Sequence, residues 1–515
     1  MSGKKDWTKG NITRRDFLAG AGGISLAVAA KIAAGQEIPL PKERPNILII
    51  ISDQLAQRAV GAYGDQWAET PNIDSLAARG VRFSRSYTNC PLCQPSRASF
   101  WTGRPPHETG VDSNGMNYPV PIIPESMPTL GSIFKAGGYE TIHFGKQHDA
   151  GSLRGFKLIE PREVEIEASA AWPVNSDSKQ DPYAAEKCAE YLKQPHEKPF
   201  VAVASLNNPH NICGWVGENA GVHQDIPIPL KLPPLPDNFE IHDLGTRPLP
   251  IQYLCCSHRR LEQASHWSET NYRHYLAAYY HYLGLVDTQI GVILDALYST
   301  PEGRNTLVVF FADHGDGMAS HRMVTKQVSF YEETTRIPLI FAGPGVKNHN
   351  KIIQEPLVSL LDLVPTLCDY AGLAVPDDLH GKSMLPWLKG ERSENGHQYV
   401  FSEWQTEWGY TVSPGRMIRS GKFKYTRYLE GNGEELYDLE KDPGEKRSLI
   451  HDQSYAEELK KHRLLLEEHL KKTADPFLSL TVKADKRWRS HPLGYPNHQG
   501  LSAPEAAWEE EKKKR

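Results

Sequence analysis

Cys93 stands in the run Cys93-Gln94-Pro95-Ser96-Arg97, followed by Thr102-Gly103. A thiol held at a fixed turn beside an arginine is a candidate for covalent chemistry. Asp53 closes the apolar run Ile47–Ile51 and is followed by Gln54, and Asp313-His314 closes a second run, Thr306–Ala312. One aspartate at a strand end is ordinarily a cap. Two such ends in one sheet bring hard oxygen donors side by side, which suits a divalent cation. Lys146 and His148 are spaced i, i+2, so in an extended stretch both project to one side. His210 ends Asn207-Asn208-Pro209-His210, and His321 and Lys326 precede Phe330–Pro338. These are the remaining cations and acid–base groups.

The elements that must carry these residues are short and apolar. Unbroken runs at Ile47–Asp53, Phe200–Ala204, Thr306–Ala312 and Pro338–Ala342 read as strands buried on both faces, because an alternating pattern is missing. Between them lie helical patterns at Ile73–Gly80, Thr129–Gly137, Tyr272–Leu297 and Leu360–Ala371. The alternation predicts an α/β fold, a large mainly parallel sheet sandwiched by helices, with its chemistry beyond the carboxyl ends of the strands. From 214 to 269 the pattern gives way to a proline-rich excursion. After 394 the style changes to short alternating strands (Arg416–Arg419, Lys422–Tyr425, Glu435–Leu439) and an amphipathic helix from about Ser454 to Lys472. The organisation expected is a leader over 1–36, a catalytic domain over 37–394, a smaller C-terminal α+β domain over 395–500 and a charged tail over 501–515.

Composition removes several function classes. The 515 residues hold 39% hydrophobic and 23% charged residues, which excludes a fibre or a mainly disordered chain. Seven irregularly spaced cysteines do not make a disulfide scaffold or a four-thiolate zinc site. A formal charge of −5 offers no footprint for nucleic acid. Thr13-Arg14-Arg15-Asp16-Phe17-Leu18 and the small apolar run Ala19–Ala30 resemble a twin-arginine export signal. That run is shorter than the ~20 residues a membrane span needs, so stable membrane insertion is not expected. The resemblance implies the twin-arginine export machinery as a partner and a periplasmic or secreted bacterial protein.

The Cys93–Gly103 stretch resembles the signature of the type I sulfatases, members of the alkaline phosphatase-like superfamily. Gly145-Lys146-Gln147-His148, Asn207–His210, Leu361–Leu367 and Tyr437–Glu445 also have counterparts there, so the likeness runs from about Pro45 to Glu445. It implies that a formylglycine-generating enzyme oxidises Cys93 to an aldehyde. Hydrated, that group has one hydroxyl to attack sulfur and a second to expel sulfate by collapse to the carbonyl. It implies one divalent cation, usually calcium, on Asp53, Gln54, residue 93, Asp313 and His314, with Asp313 also helping to deprotonate the attacking hydroxyl. Arg97, Lys146 and Lys326 would bind the sulfate oxygens, His148 would take a proton when the hydrate collapses, and His210 with Lys326 would serve the leaving oxygen. The family often has a second aspartate where this chain has Gln54, and asparagine where it has His314, which leaves manganese or zinc open. A sulfated carbohydrate is the expected substrate. A phosphonate or phosphate monoester hydrolase of the same superfamily and an inactive sulfated-glycan-binding protein are the alternatives. Trp215, Trp267, Trp404 and Trp408 are candidate sugar-stacking residues.

Overall fold

Strand β1 (Asn46–Asp53) is buried at every position, as an isoleucine-rich run must be when strands flank it and helices cover the sheet. In this computed structural model it belongs to an eight-stranded sheet. The other strands are β2 (Val81–Phe83), β3 (Glu140–Gly145), β4 (Lys157–Leu158), β5 (Phe200–Pro209), β6 (Thr306–Ala312), β7 (Leu339–Ala342) and β8 (Lys351–Ile353). Their order is β4-β3-β5-β1-β6-β7-β2-β8. Pairing is parallel throughout β4-β3-β5-β1-β6 and antiparallel on both sides of β7, so the expected mainly parallel sheet carries one reversed strand. The structure describes residues 44–480 apart from 115–121, 160–179, 220–230, 249, 252–263, 265–266, 327–328, 392, 394–395, 406–413 and 430–432. The leader, the charged tail, Trp408, Cys255 and Cys256 lie outside the described residues.

Five helices matter for the site: α1 (Cys93–Thr102), α2 (Pro106–Thr109), α3 (Gln180–Leu192), α4 (Glu269–Tyr298) and α5 (Leu363–Ala371). Helix α4 opens on a reciprocal capping box between Ser268 and Asn271, three residues before the first apolar position that its periodicity marks. Helix α1 is not evident from periodicity, because all ten of its residues are buried and no polar face remains to mark a stripe. Phe100 on α1 meets Phe311 on β6 edge-to-face at 5.1 Å, which seats the helix on the central sheet. Of the tryptophans considered for sugar stacking, Trp215 and Trp267 are buried and pack edge-to-face at 6.0 Å, and Trp404 is buried too. They are core residues.

The C-terminal part forms an antiparallel four-stranded sheet, β9 (Tyr399–Trp404), β10 (Gly415–Ser420), β11 (Phe423–Tyr428) and β12 (Glu434–Asp438), backed by helix α6 (Ala456–Lys472). Apolar contacts join it to the catalytic body through Tyr87, Leu92, Phe330, Trp404 and Met417. Charged clamps frame that junction. Arg416 grips Asp475 through two nitrogens at 2.6 and 2.8 Å. Lys424 reaches Glu445 at 2.6 Å and Glu332 at 3.1 Å. Burial alone would raise both acids, yet Lys424 holds Glu332 down at about 2 while Glu445, facing Glu332 and Glu333, is pushed up to about 8.

His107 on α2 places Nδ1 2.7 Å from Glu403 Oε1 and Nε2 3.1 Å from the Thr473 carbonyl. Burial opposes its charge, but Glu403 outweighs that and raises the imidazole to about 9. A histidine raised on folding stabilises fully below its unfolded value near 6.5 and loses that contribution as pH rises through about 9. His107→Ala should therefore lower the melting temperature by a few degrees at pH 6, and the gap from the parent should shrink above pH 9. Melting curves across this range test it; a gap that widens with pH would contradict the clamp.

Candidate active site

Register brings the two acidic strand ends together. β1 and β6 run parallel with Ser52 opposite Ala312, so Asp53 and Asp313 are the next residues on adjacent strands. Gln54 follows in a left-handed backbone (φ 66°), and its N–H donates to Asp313 Oδ1 at 3.0 Å. The turn after Asp313 needs glycine, since a Cβ at Gly315 would lie 1.9 Å from the Glu333 carbonyl. That close approach lets the N–H groups of Gly315 and Asp316 donate to Thr334 and Glu333. Gly145 likewise (φ 89°) turns the chain so that Lys146 N–H reaches the Ser205 carbonyl at 2.8 Å.

Each fixed position of the cysteine motif has a visible structural role. Cys93 begins α1, Pro95 sits in the first turn where its missing N–H costs nothing, and Gly103 ends the helix in a left-handed conformation (φ 71°). Thr102 Oγ donates back to Ala98 at 2.7 Å, and Ser96 Oγ donates to the Asp313 carbonyl at 2.6 Å. Arg97 is completely buried. Its Nε donates to Asp313 Oδ2 at 2.9 Å, one terminal nitrogen to Asp53 Oδ2 at 3.1 Å and the other to Ser205 Oγ at 2.9 Å. Direct sulfate binding was expected of Arg97. With every nitrogen committed inside the protein, it positions the two carboxylates instead.

Cys93 Sγ lies 3.1 Å from His314 Nε2 and 3.7 Å from Asp53 Oδ1, and His210 faces it. Lys146 Nζ reaches Asp53 Oδ2 at 2.8 Å, and Lys326 Nζ reaches Gln54 Oε1 at 3.0 Å. Burial and Asp53 push the Cys93 thiol up, but Lys326, His314 and Lys146 outweigh them and hold it well below the ordinary value. Burial also opposes the charge on Asp53, yet Lys146, Arg97 and Lys326 keep it ionised. Desolvation with Lys146 and Lys326 lowers His210 to about 3, leaving a neutral imidazole. Burial and the Asp53 carboxylate push Asp313 up to about 7.

Asp53, residue 93, Asp313 and His314 each bring one donor atom to within 4.8 Å of the others. The set suits a divalent cation. His314 Nδ1 lies 2.8 Å from the Gly315 carbonyl, which can only accept, so Nδ1 carries a proton and Nε2 turns to the cluster. Burial would lower the His314 imidazole, but Asp313 and the Cys93 sulfur raise it to about 9, a field that favours positive charge there. Gln54, expected among the ligands, has its amide oxygen 3.0 Å from Lys326 Nζ and 3.2 Å from Cys213 Sγ.

The remaining expected residues divide. Lys146, His210 and Lys326 join the cluster. His148 is half-buried beside Asp149 and, among the described residues, makes no hydrogen bond to the cluster. His321 lies apart, stacked on Tyr331 at 4.2 Å. Four residues that carry no motif signal support the site. Ser205 and Asp149 face Arg97 at 2.9 and 3.8 Å, Asp181 accepts the N–H groups of Asn207 and Asn208 at 2.6 and 2.9 Å, and Asp316 accepts from Gln54 at 2.7 Å. Periodicity marks Asp316 only as a polar residue after a strand.

The sulfatase family model matches residues 45–373. The chain belongs to the sulfatase family. The model for the C-terminal part of N-sulphoglucosamine sulphohydrolase matches residues 319–473. A Δ4,5-hexuronate-2-O-sulfatase of Bacteroides thetaiotaomicron is 54% identical over 483 residues, covering 94% of this chain and 99% of its own. A solved 2-O GAG sulfatase superposes with a TM-score of 0.83 at 54% identity, covering 90% of this chain and 100% of its own. A phosphonate monoester hydrolase of Agrobacterium radiobacter shares the fold at 23% identity, with a TM-score of 0.67 over 86% of this chain and 99% of its own. The sulfatase is thus a sulfuric ester hydrolase.

If Arg97 positions Asp53 and Asp313, Arg97→Lys should lower kcat about 100-fold with little change in KM, because one ammonium cannot bridge two carboxylates and Ser205. Steady-state kinetics on a sulfate ester, with a melting curve to confirm folding, check this. A raised KM at unchanged kcat would return Arg97 to the sulfate.

Proposed function

We propose that the sulfatase removes the 2-O-sulfate from an unsaturated hexuronate at the end of a glycosaminoglycan fragment. The observation that carries this reading is the 54% identity to a Δ4,5-hexuronate-2-O-sulfatase over 94% of this chain and 99% of the relative. Residue 93, oxidised to formylglycine, supplies as its hydrate one hydroxyl to attack sulfur and another to expel sulfate. A calcium ion held by Asp53, residue 93, Asp313 and His314 would polarise a sulfate oxygen and acidify the attacking hydroxyl.

The chain's own groups do the rest. Asp313, held by Arg97, accepts the proton of the attacking hydroxyl. Lys146 and Lys326 bring positive charge to residue 93 and take the sulfate oxygens. His210, neutral in this field, hydrogen-bonds the leaving oxygen, with Lys326 stabilising the departing alkoxide. Because sulfate monoester cleavage needs chiefly positioning and charge dispersal, these fixed cations are the main source of rate.

Cys93 is only 1% exposed, so a formylglycine-generating enzyme must reach it before the chain folds. The leader then calls for twin-arginine export of the folded, converted protein to the periplasm or beyond. Among the described residues no helix is long and apolar enough to cross a membrane.

Unsaturated disaccharides sulfated at 2-O alone, 6-O alone or 2-N alone separate this reading from its neighbours. Sulfate release from the 2-O compound at least about 100-fold faster than from the others is expected. Preference for the 6-O or 2-N compound would contradict the assignment while leaving a sulfatase. His210→Ala should lose more rate on the sugar than on an aryl sulfate, whose better leaving group needs less help.

A further inference from the structure

The carboxyl end of β5 carries an irregularity that delivers His210. Ser52 on β1 stands opposite Leu206, yet the next residue, Asp53, stands opposite Pro209, so Asn207 and Asn208 bulge out of the ladder. On the other side β3 has already ended, its last pair being Gly145 with Ser205. Four backbone groups in the bulge then need partners from elsewhere, and each has one. Asp181 Oδ1 accepts the Asn207 N–H at 2.6 Å, and Oδ2 accepts the Asn208 N–H at 2.9 Å. The Asn207 carbonyl accepts the His210 N–H at 3.0 Å, and the Asn208 carbonyl accepts the Ser52 hydroxyl at 2.8 Å.

Helix α3 brings Asp181 to this place. Its buried residues Asp181, Ala184, Ala185, Cys188 and Leu192 recur at helical spacing and form one face. The apolar part of that face packs on β3 and β5, which leaves the aspartate at its head over the end of β5. Asp181 is only 5% exposed, and a carboxylate so buried is costly unless its oxygens are bonded. Both are.

We propose that Asp181 is a positioning residue for the reaction: through the two N–H groups of the bulge it sets the imidazole of His210 against the leaving oxygen. The inference rests on the part proposed for His210 at that oxygen. The path is short, because Asn207 gives its N–H to Asp181 and its carbonyl to His210, so a shift of the bulge carries the imidazole with it. Two adjacent donors need two acceptor oxygens, which a carboxylate supplies. Asparagine keeps the size and shape but turns its NH2 to one of the two N–H groups, donor against donor.

Four converted full-length proteins, the parent, D181N, H210A and D181N/H210A, are compared on the 2-O-sulfated disaccharide and on an aryl sulfate. D181N should lose about tenfold or more in kcat on the sugar, where the leaving oxygen needs help, and less on the aryl sulfate. In the H210A background D181N should cost no more than about twofold further, because its effect passes through the imidazole. Ser52→Ala, which releases the Asn208 carbonyl, should repeat the selective loss in smaller measure and carries the test if D181N does not fold. Equal losses on both substrates, or a loss that multiplies with that of H210A, would overturn the proposal, since a general loosening of the sheet end acts in that way. Parent-like turnover by D181N beside an impaired H210A would overturn it while sparing the part given to His210. An unimpaired H210A would remove that part and the proposal together.

Discussion

A single buried arginine holds the catalytic end of the sheet together. Asp53 and Asp313 end adjacent parallel strands, and two carboxylates so placed repel each other in a site from which water is excluded. Arg97 lies between them with no exposed surface, one edge of its guanidinium to each acid and the remaining nitrogen on Ser205. An uncompensated buried charge costs several kcal/mol, so the three groups are interdependent. Arg97 is four residues after Cys93 on α1, one helical turn away, so the interaction that reconciles the carboxylates also fixes residue 93 against them. Ser96 reinforces the same docking through the Asp313 carbonyl.

Charge in the cluster is graded. Asp53 touches Arg97 and Lys146 and stays ionised despite burial, while Asp313, burdened by burial and by Asp53, is raised to about 7. Burial and two nearby ammonium groups make His210 a neutral imidazole at about 3. Like groups are thus pushed apart in pKa, the arrangement by which one site gives different roles to chemically identical side chains. A cation held by Asp53 and Asp313 would relieve the repulsion that Asp313 carries.

The central strands were legible because an apolar run without alternation has few other readings, and Thr306–Ala312 appears with the bounds its hydrophobicity marks. Asp53 and Asp313 were legible for the same reason, since a polar residue at the end of such a run must sit on the sheet edge. Helix α1 was hidden because burial on every side erases the periodicity on which helix recognition depends. The motif identified Arg97 but not what it does, because nothing in a linear pattern tells an arginine facing substrate from one buried between two acids. Lys146 and His148 were expected on one side of an extended stretch, but Gly145 turns the chain immediately before them, and only Lys146 reaches the cluster. Asp149, Asp181, Ser205 and Asp316 act on residues distant in the chain, so no local spacing reveals them.

The chemistry ascribed to this site depends on the state of residue 93. Trypsin releases it in the peptide Ser86–Arg97, which also holds Cys90. Mass measurement of that peptide after thiol alkylation, on protein from a host with a formylglycine-generating enzyme and from one without, tests the point most directly. Conversion replaces thiol by aldehyde and lowers the mass by ~18 Da, with one alkyl group taken up, at Cys90, instead of two. The expected result is that shift in the first protein, with desulfation proportional to the converted fraction. Full desulfating activity in protein that takes up two alkyl groups would contradict the central claim.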